Sequence, residues 1–254
     1  MDGCARVVAE AGAGGVTRLS RLFATGTISL WPLPGRAGGA RVHLVSRAAG
    51  PIGGDAVRVD VEVGPRARLT VTSAAAAIAL PGPDGAWSAG EVHASVAKGG
   101  FLCWRPQPLL VTAGAAHRSA AHVDVEDGGV ALWWEELVLG RTGEAPGRLT
   151  ARLSVDYAAT PLTRHEVRVT PGWDSYARLG PYRAHVTACA AGVTPRWRDG
   201  ATPVLSGTAA VLACDGPGLL VTAAGDDLAA ARRLAAAGFD AAGAAVGRAY
   251  QYAY

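Results

Sequence analysis

The chain has 254 residues, of which 50% are hydrophobic and 18% charged, a composition that supports a sizeable core and excludes wholesale disorder. Its formal net charge of +3 is spread along the chain without a basic stripe, which excludes nucleic acid as a partner. Lys98 is the single lysine and Gly99 follows it, so the Gly-Lys-Ser/Thr of a phosphate-binding loop is absent and nucleotide hydrolysis by that route is excluded.

An alternation of apolar and polar residues is the main pattern along the chain. Between residues 57 and 63, four valines alternate with Arg58, Asp60 and Glu62, which predicts a strand with one apolar and one charged face. The pattern recurs at residues 69–72, 92–96 and 149–157. With many glycines and prolines between such runs, the sequence predicts a dozen or more short strands between residues 17 and 224.

Turn residues predict how some of these strands connect. Asp127-Gly128 lies between two apolar runs, and residues 215–218 lie between two more, so both turns predict β-hairpins. Near the C-terminus, Asp227 precedes a run of helix formers at residues 228–237, and Gly238 follows that run. This order predicts one helix with an acidic N-cap and a glycine at its C-terminal end.

These patterns predict a mainly β fold, with many short strands in a single domain over residues 1–254 and a minor C-terminal helix. A sandwich, a barrel and a β-helix-like solenoid all fit the pattern, and the lack of an exact repeat slightly disfavours a regular solenoid. Residues 241–254 have no regular period, and both this tail and residues 1–15 are predicted to be loose.

Cysteine usage and hydropathy predict the compartment. The four cysteines stand far apart and never form Cys-x-x-Cys, a distribution typical of reduced thiols in a cytoplasmic protein. The N-terminal segment lacks the continuous apolar run of a signal peptide. The longest apolar stretch, residues 74–80, is far short of the ~20 residues that span a bilayer. A cytoplasmic protein with no membrane partner is therefore expected.

Two neighbouring acids in an apolar run are the first candidate site. Glu135 and Glu136 follow Trp133-Trp134, and if the run is a strand the two carboxylates face opposite sides. One interpretation is an edge strand with one solvated acid. The other is a carboxylate that faces an internal polar cavity or channel, because a buried acid must find a polar partner.

Two glycine-framed turns carry the other candidate residues. Asp55 ends the turn at residues 51–55, directly before the valine strand. Arg141 and Glu144 lie close together in the loop that follows the tryptophan strand. By themselves, these features predict an ordinary β-turn and a loop ion pair. Isolated histidines, including His165, are interpreted as surface or core residues rather than as metal ligands.

Three blocks of sequence resemble the urease accessory protein UreD (UreH) family, in the expected order over about residues 15–240. The blocks are Gly53-Gly54-Asp55 with Gly64-Pro65-x-Ala67-x-Leu69-Thr70-x-Thr72, then Trp104-Arg105-Pro106-Gln107-Pro108-Leu109, then Trp134-Glu135-Glu136-Leu137-Val138-Leu139-Gly140-Arg141 with Gly143-Glu144. One departure lies at residues 73–80, where a polar stretch of the family is replaced almost entirely by alanine.

The resemblance implies a non-enzymatic scaffold in nickel delivery to urease, built mainly of strands in a helical or solenoid-like arrangement. It implies binding to UreF, through UreF to the GTPase UreG, and to the urease apoprotein. It also implies transient nickel and no tightly bound cofactor. A separate GTPase chain fits the absence of a phosphate-binding loop here.

Asp55, Glu135 and Glu144 are the residues predicted to line a nickel route, with Arg141 orienting Glu144. Carboxylates bind a divalent ion weakly enough to release it, as a conduit requires. Two alternatives stay open: a divergent scaffold that binds partners without conducting nickel, and a hydrolase that uses Asp55 with Glu135 or Glu144 as an acid–base pair. The predicted helix and the aromatic tail Tyr250, Tyr252 and Tyr254 are candidate docking surfaces for UreF.

Overall fold

The strands of this protein form two sheets that face each other. A computed structural model describes residues 1–195, 204–206 and 208–241. In these residues the strands are β1 (Asp2–Ala11), β2 (Thr17–Gly26), β3 (Ile28–Arg36), β4 (Gly39–Ser46), β5 (Ala56–Val63), β6 (Arg68–Ser73), β7 (Ala77–Ala79), β8 (Ser88–Val96), β9 (Phe101–Arg105), β10 (Leu109–Val111), β11 (Ala116–Val125), β12 (Val130–Leu139), β13 (Arg148–Tyr157), β14 (Thr160–Val169), β15 (Ala184–Ala191), β16 (Val204–Ser206), β17 (Ala209–Ala213) and β18 (Gly218–Gly225). One α-helix, α1 (Leu228–Ala241), and two short 3-10 turns, Ala13–Gly15 and Pro83–Gly85, complete the described elements.

The central part of the chain is a solenoid of stacked coils. One sheet has the order β14-β13-β11-β8-β5-β1-β2 and the other β16-β17-β18-β15-β12-β9-β6-β4-β3. From β4 to β13 the chain passes alternately between the two sheets, and the successive strands within each sheet are parallel. The short strand β10 pairs in parallel with the end of β12 on one side and with β7 on the other. The predicted mainly β fold is confirmed, in its solenoid-like form.

The corners between the sheets explain why one predicted hairpin is wrong. Asp127-Gly128 joins β11 to β12, which lie in different sheets, so the turn is a coil corner rather than a hairpin tip. Each corner closes with a backbone hydrogen bond from residue i+3 to residue i, namely Ala67 to Gly64, Gly100 to Ala97 and Gly129 to Glu126. These corners are unequally spaced along the chain, so the coils leave no fixed sequence period. The hairpin predicted at residues 215–218 is confirmed, because β17 and β18 pair antiparallel there.

The N-terminal segment is ordered rather than loose. β1 lies between β2 and β5, parallel to β5, and its inward residues Ala5, Val7 and Ala9 are buried. Alternating small apolar residues at these positions give β1 the same inner face as the solenoid strands. The prediction for residues 1–15 is therefore wrong for most of that segment. The predicted loose tail, with its tyrosines, lies outside the described residues apart from Ala241.

The helix α1 packs on the outer face of the larger sheet. Asp227 accepts a hydrogen bond from the backbone N–H of Ala230 at 2.7 Å, so the predicted acidic N-cap is confirmed. The helix continues through Gly238 to Ala241, so the predicted glycine C-cap is wrong. Ala231 and Phe239 are buried against the sheet, and this packing stabilises the last turn beyond the glycine. No helix in the described ranges has both the length and the apolar composition needed to cross a membrane.

Two apolar layers result from this arrangement. The first lies between the sheets, where Trp104 and Trp133 stack with ring centroids 4.9 Å apart. The second lies between the larger sheet and α1, where Trp134 stacks on Phe239 with centroids 6.2 Å apart. Trp133 and Trp134 are adjacent in β12, so each fills a different layer.

Candidate functional site

The two neighbouring acids lie on a central strand and not on an edge strand. β12 pairs with β9 on one side and with β15 on the other. The edge-strand interpretation is therefore wrong. Because side chains alternate along β12, Glu135 shares the inner face with Trp133, and Glu136 shares the outer, helix-covered face with Trp134.

Glu136 has a structural role that the sequence analysis missed. Its side chain is buried and accepts a hydrogen bond from Trp134 Nε1 at 2.7 Å. Arg232 of α1 binds it with two further bonds, from Nε at 2.7 Å and from Nη2 at 2.6 Å. A bidentate arginine contact of this kind fixes the helix on the sheet. The partner lies 96 residues away in the chain, so nothing near Glu136 in the sequence could have revealed it.

Glu135 lies in the space between the two sheets. It retains some accessible surface although it points inward. Burial raises the pKa of Glu135 to about 7, and the nearby indole N–H of Trp133 offsets part of that rise. Its neighbour across the sheet is Thr187 of β15. Glu135 is thus an inward-facing carboxylate on a central strand, and its place on a channel stays a prediction.

Two histidines extend the polar surface that starts at Glu135. His165 of β14 faces Thr187 across the gap between the sheets, with 3.3 Å between Nε2 and Oγ1. The His165 and His185 rings stack with centroids 6.5 Å apart. Burial lowers the pKa of both rings, that of His185 to about 4, so both are neutral at pH 7. Glu135, Thr187, His165 and His185 are called the inner polar row below.

The inner polar row reaches the surface at His185. This residue lines an open cleft of about 560 Å³, whose walls include Tyr176, Tyr182 and Thr222. The Nδ1 atom of His185 is buried and has no hydrogen-bond partner among the described residues. A neutral imidazole with an unused nitrogen can accept a proton or bind a metal ion. The sequence gives no signal for a functional His185, because the surrounding run of small apolar residues predicts only a buried strand.

Asp55 lies at a second cavity, in an earlier coil. This cavity of about 300 Å³ is lined by Asp55, by His117 and by residues 74–77 of the alanine-rich segment. Burial alone would raise the pKa of Asp55, but hydrogen bonds from the Met1 amino group and the Ile52 backbone N–H hold that pKa below its usual value. Asp55 is therefore a buried, ionised carboxylate at the wall of the cavity.

Glu144 lies in a surface loop, away from the inner faces of the sheets. It accepts the backbone N–H of Arg141 at 2.9 Å, and the Arg141 Nη1 atom lies 3.5 Å from its Oε1. The first contact is the main cause that lowers the pKa of Glu144. The predicted loop ion pair is thus present. No hydrogen bond among the described residues links Asp55, Glu135 and Glu144, which belong to three different coils.

The donor chemistry of these sites suits weak binding. In residues 1–195, 204–206 and 208–241, no three His, Cys, Asp or Glu side chains come close enough together to hold a metal ion. The polar groups are instead spread one or two at a time along the interior. Isolated carboxylate, hydroxyl and imidazole groups bind a divalent ion far more weakly than a closed set of ligands does.

Stacked coils with polar groups between the sheets define the class of this protein: a β-solenoid with a partly polar interior. A family model described as the UreD urease accessory protein matches residues 1–252. The chain therefore belongs to the UreD urease accessory protein family, and the resemblance found in the sequence blocks is confirmed.

Relatives agree with this assignment. The chain is 39% identical over 184 residues to the urease accessory protein UreD of Streptomyces avermitilis, covering 71% of this chain and 73% of that protein. It is 36% identical over 234 residues to UreD of Streptomyces coelicolor, covering 91% and 92%. It is 35% identical over 237 residues to UreD 1 of Saccharopolyspora erythraea, covering 92% of each chain.

Proposed function

We propose that this protein is a non-enzymatic urease maturation factor that assists nickel delivery through its interior. The observation that carries the proposal is the inner polar row of a UreD-family chain. Polar groups in an apolar solenoid interior cost folding free energy, and a route for an ion gives them a use. As the family resemblance implies, the proposed partners are UreF, UreG through UreF, and the urease apoprotein, in the cytoplasm.

The chemistry of the inner polar row suits transient binding of Ni²⁺ better than tight binding. Glu135 exchanges a proton near pH 7, so an arriving Ni²⁺ displaces at most one proton there. His165 and His185 are neutral at that pH and offer nitrogen lone pairs without a competing proton. Several weak sites in series let an ion enter and leave, whereas one strong site would retain it.

The route is tested by changing inward carboxylates and counting nickel in urease. Asp55→Asn and Glu135→Gln are co-expressed with UreF, UreG and the urease subunits, beside the control Glu91→Gln. Glu91 lies on the outer face of the smaller sheet with a half-exposed side chain. We expect about tenfold less nickel in urease for the inward variants, intact pull-down of the partners for all three, and normal nickel for the control.

Two outcomes contradict this proposal in different ways. Normal nickel content with Asp55→Asn and Glu135→Gln, in an intact complex, removes the interior route but keeps the scaffold. Failure of the folded wild-type chain to bind UreF or urease in the pull-down removes the scaffold role itself.

A divergent scaffold is the second candidate, and one observation favours it. Alanines 74–77 form one part of the wall of the cavity beside Asp55, where the resemblance to the family implies polar side chains, although Ser73, Gln107 and His117 also line it. The alanine side chains offer no ligand to an ion that leaves Asp55. If this candidate is correct, cells with and without the chain contain urease with equal nickel, although the complex forms.

A further inference from the structure

One end of the solenoid exposes two strand edges. β2 is the last strand of the smaller sheet and β3 is the last strand of the larger one. A terminal strand leaves one row of backbone N–H and C=O groups without a strand partner, and these groups can pair with another chain. The two edges therefore offer two places where a further strand could be added.

Prolines hinder strand pairing at the edge of β3 but not at the edge of β2. β3 contains Pro32 and Pro34, which lack the backbone N–H that strand pairing uses. β2 has ten residues and contains no proline. Edge prolines are a common protection against unwanted pairing, and β2 has no such protection.

The side chains of β2 divide into an apolar and a basic face. A bulge at Ser20 of β2, opposite the step from Val8 to Ala9 in β1, places Leu19 and Leu22 on the inner face and Arg18 and Arg21 on the outer face. Leu22 is 37% exposed, and Phe23, which is on the outer face beside Arg21, is 45% exposed. Apolar side chains on an unpaired edge lose water contact only when another strand covers them.

Arginine predominates around this edge. Glu10 of β1 lies 3.3 Å from Arg18 and pairs with it, whereas Arg21 has no ion pair among the described residues. Residues 11–54 include five arginines and no aspartate or glutamate. A second copy of this chain, paired through the same edge, would bring the Arg21 side chains of both copies to the same face, and like charges opposed across strands are destabilising. An acidic strand would instead place a carboxylate opposite Arg21.

We propose that β2 binds an extended acidic segment of a partner protein by strand addition. The segment pairs its backbone with the open edge, covers Leu19 and Leu22 with apolar residues, and directs a carboxylate to Arg21 on the other face. This inference uses no metal chemistry and does not depend on the interior route.

The probe is a fluorescent ten-residue peptide in which valine alternates with glutamate, beside a matched peptide with lysine in place of glutamate. Fluorescence anisotropy with the full chain is expected to show binding of the glutamate peptide only. Amide hydrogen exchange is expected to slow in residues 17–26 when that peptide is added. Binding of both peptides alike, or of neither, overturns the proposal.

Variants separate the two edges. Arg21→Glu is expected to weaken binding of the glutamate peptide by about tenfold and to allow binding of the lysine peptide. The matched control is Trp31→Ser, because Trp31 is exposed on the proline-containing edge of β3 and should leave binding unchanged. Equal loss in both variants contradicts the assignment to β2. Dimerisation of the wild-type chain that Arg21→Glu changes, seen by sedimentation, would assign the edge to a second copy instead.

Discussion

Glu135→Gln should stabilise the protein, and only at high pH. Glutamine keeps the shape and polarity of the side chain but cannot ionise. In the folded chain the pKa of Glu135 is raised from 4.5 to about 7 by burial, so the folded state holds a proton that the unfolded state has released between these values. The wild-type chain therefore loses stability as pH rises through this window, whereas the variant does not.

The size of the effect follows from the two pKa values. The rise from 4.5 to about 7 corresponds to about 3 kcal/mol, an upper value because water can reach part of the side chain. We expect Glu135→Gln to exceed the wild-type free energy of unfolding by up to about 3 kcal/mol at pH 8 and to match it near pH 4.5.

Urea denaturation of both chains at the two pH values measures this difference directly. Glu91→Gln, on the outer face, should show no pH-dependent difference of this size. A difference between Glu135→Gln and the wild-type chain that is equal at pH 4.5 and pH 8 would refute the reasoning, because it would mean that the Glu135 carboxylate is solvated in the folded state.

Two further predictions concern stability and use the same urea assay. Arg232→Met leaves the carboxylate of Glu136 buried without its cation and should lower the free energy of unfolding by about 3 kcal/mol at pH 7. An unchanged urea midpoint would mean that the ion pair contributes nothing to stability. Gly192→Ala should lower the free energy of unfolding by several kcal/mol, because the backbone has φ of +76° and the new Cβ would lie 1.9 Å from the Gly129 carbonyl oxygen. The matched Gly172→Ala, at φ of +78° with no atom within 4 Å, should cost only about 1 kcal/mol, and equal losses in the two variants would refute the steric argument.

The strands were predictable from the sequence, but their partners were not. Alternation reports that one face of a strand is buried, and it does so equally for parallel and antiparallel neighbours. A short Asp-Gly turn closes a hairpin in one context and a coil corner in another. For this reason the hairpin predicted at residues 127–128 is wrong. The real hairpin between β13 and β14 turns at Ala158 and Ala159, both with positive φ, and alanine gives no sequence signal for such a turn.

The sequence predicts that one of the two neighbouring glutamates faces the interior, but it does not predict which one. The alternation of a strand separates Glu135 from Glu136. Each of them has a tryptophan two residues before it and an aliphatic residue two residues after it, so the sequence cannot tell which face is the interior. That choice depends on α1, which covers the outer face from the far end of the chain. The histidines that extend the row come from β14 and β15, and only the stacking of the sheets brings them to Thr187.

The two adjacent glutamates of β12 show how structural and functional acids can be separated on energetic grounds. Glu136 has three charge-assisted or indole hydrogen bonds, so its burial is offset by its partners. Glu135 is held at a pKa of about 7, and His185 at about 4, because burial disfavours their charged forms and no ion pair compensates within the described residues. Apolar residues at these two positions would make a more stable solenoid. A folding requirement therefore explains Glu136 but not Glu135 or His185, and passage of a cation through the interior is a requirement that would explain both.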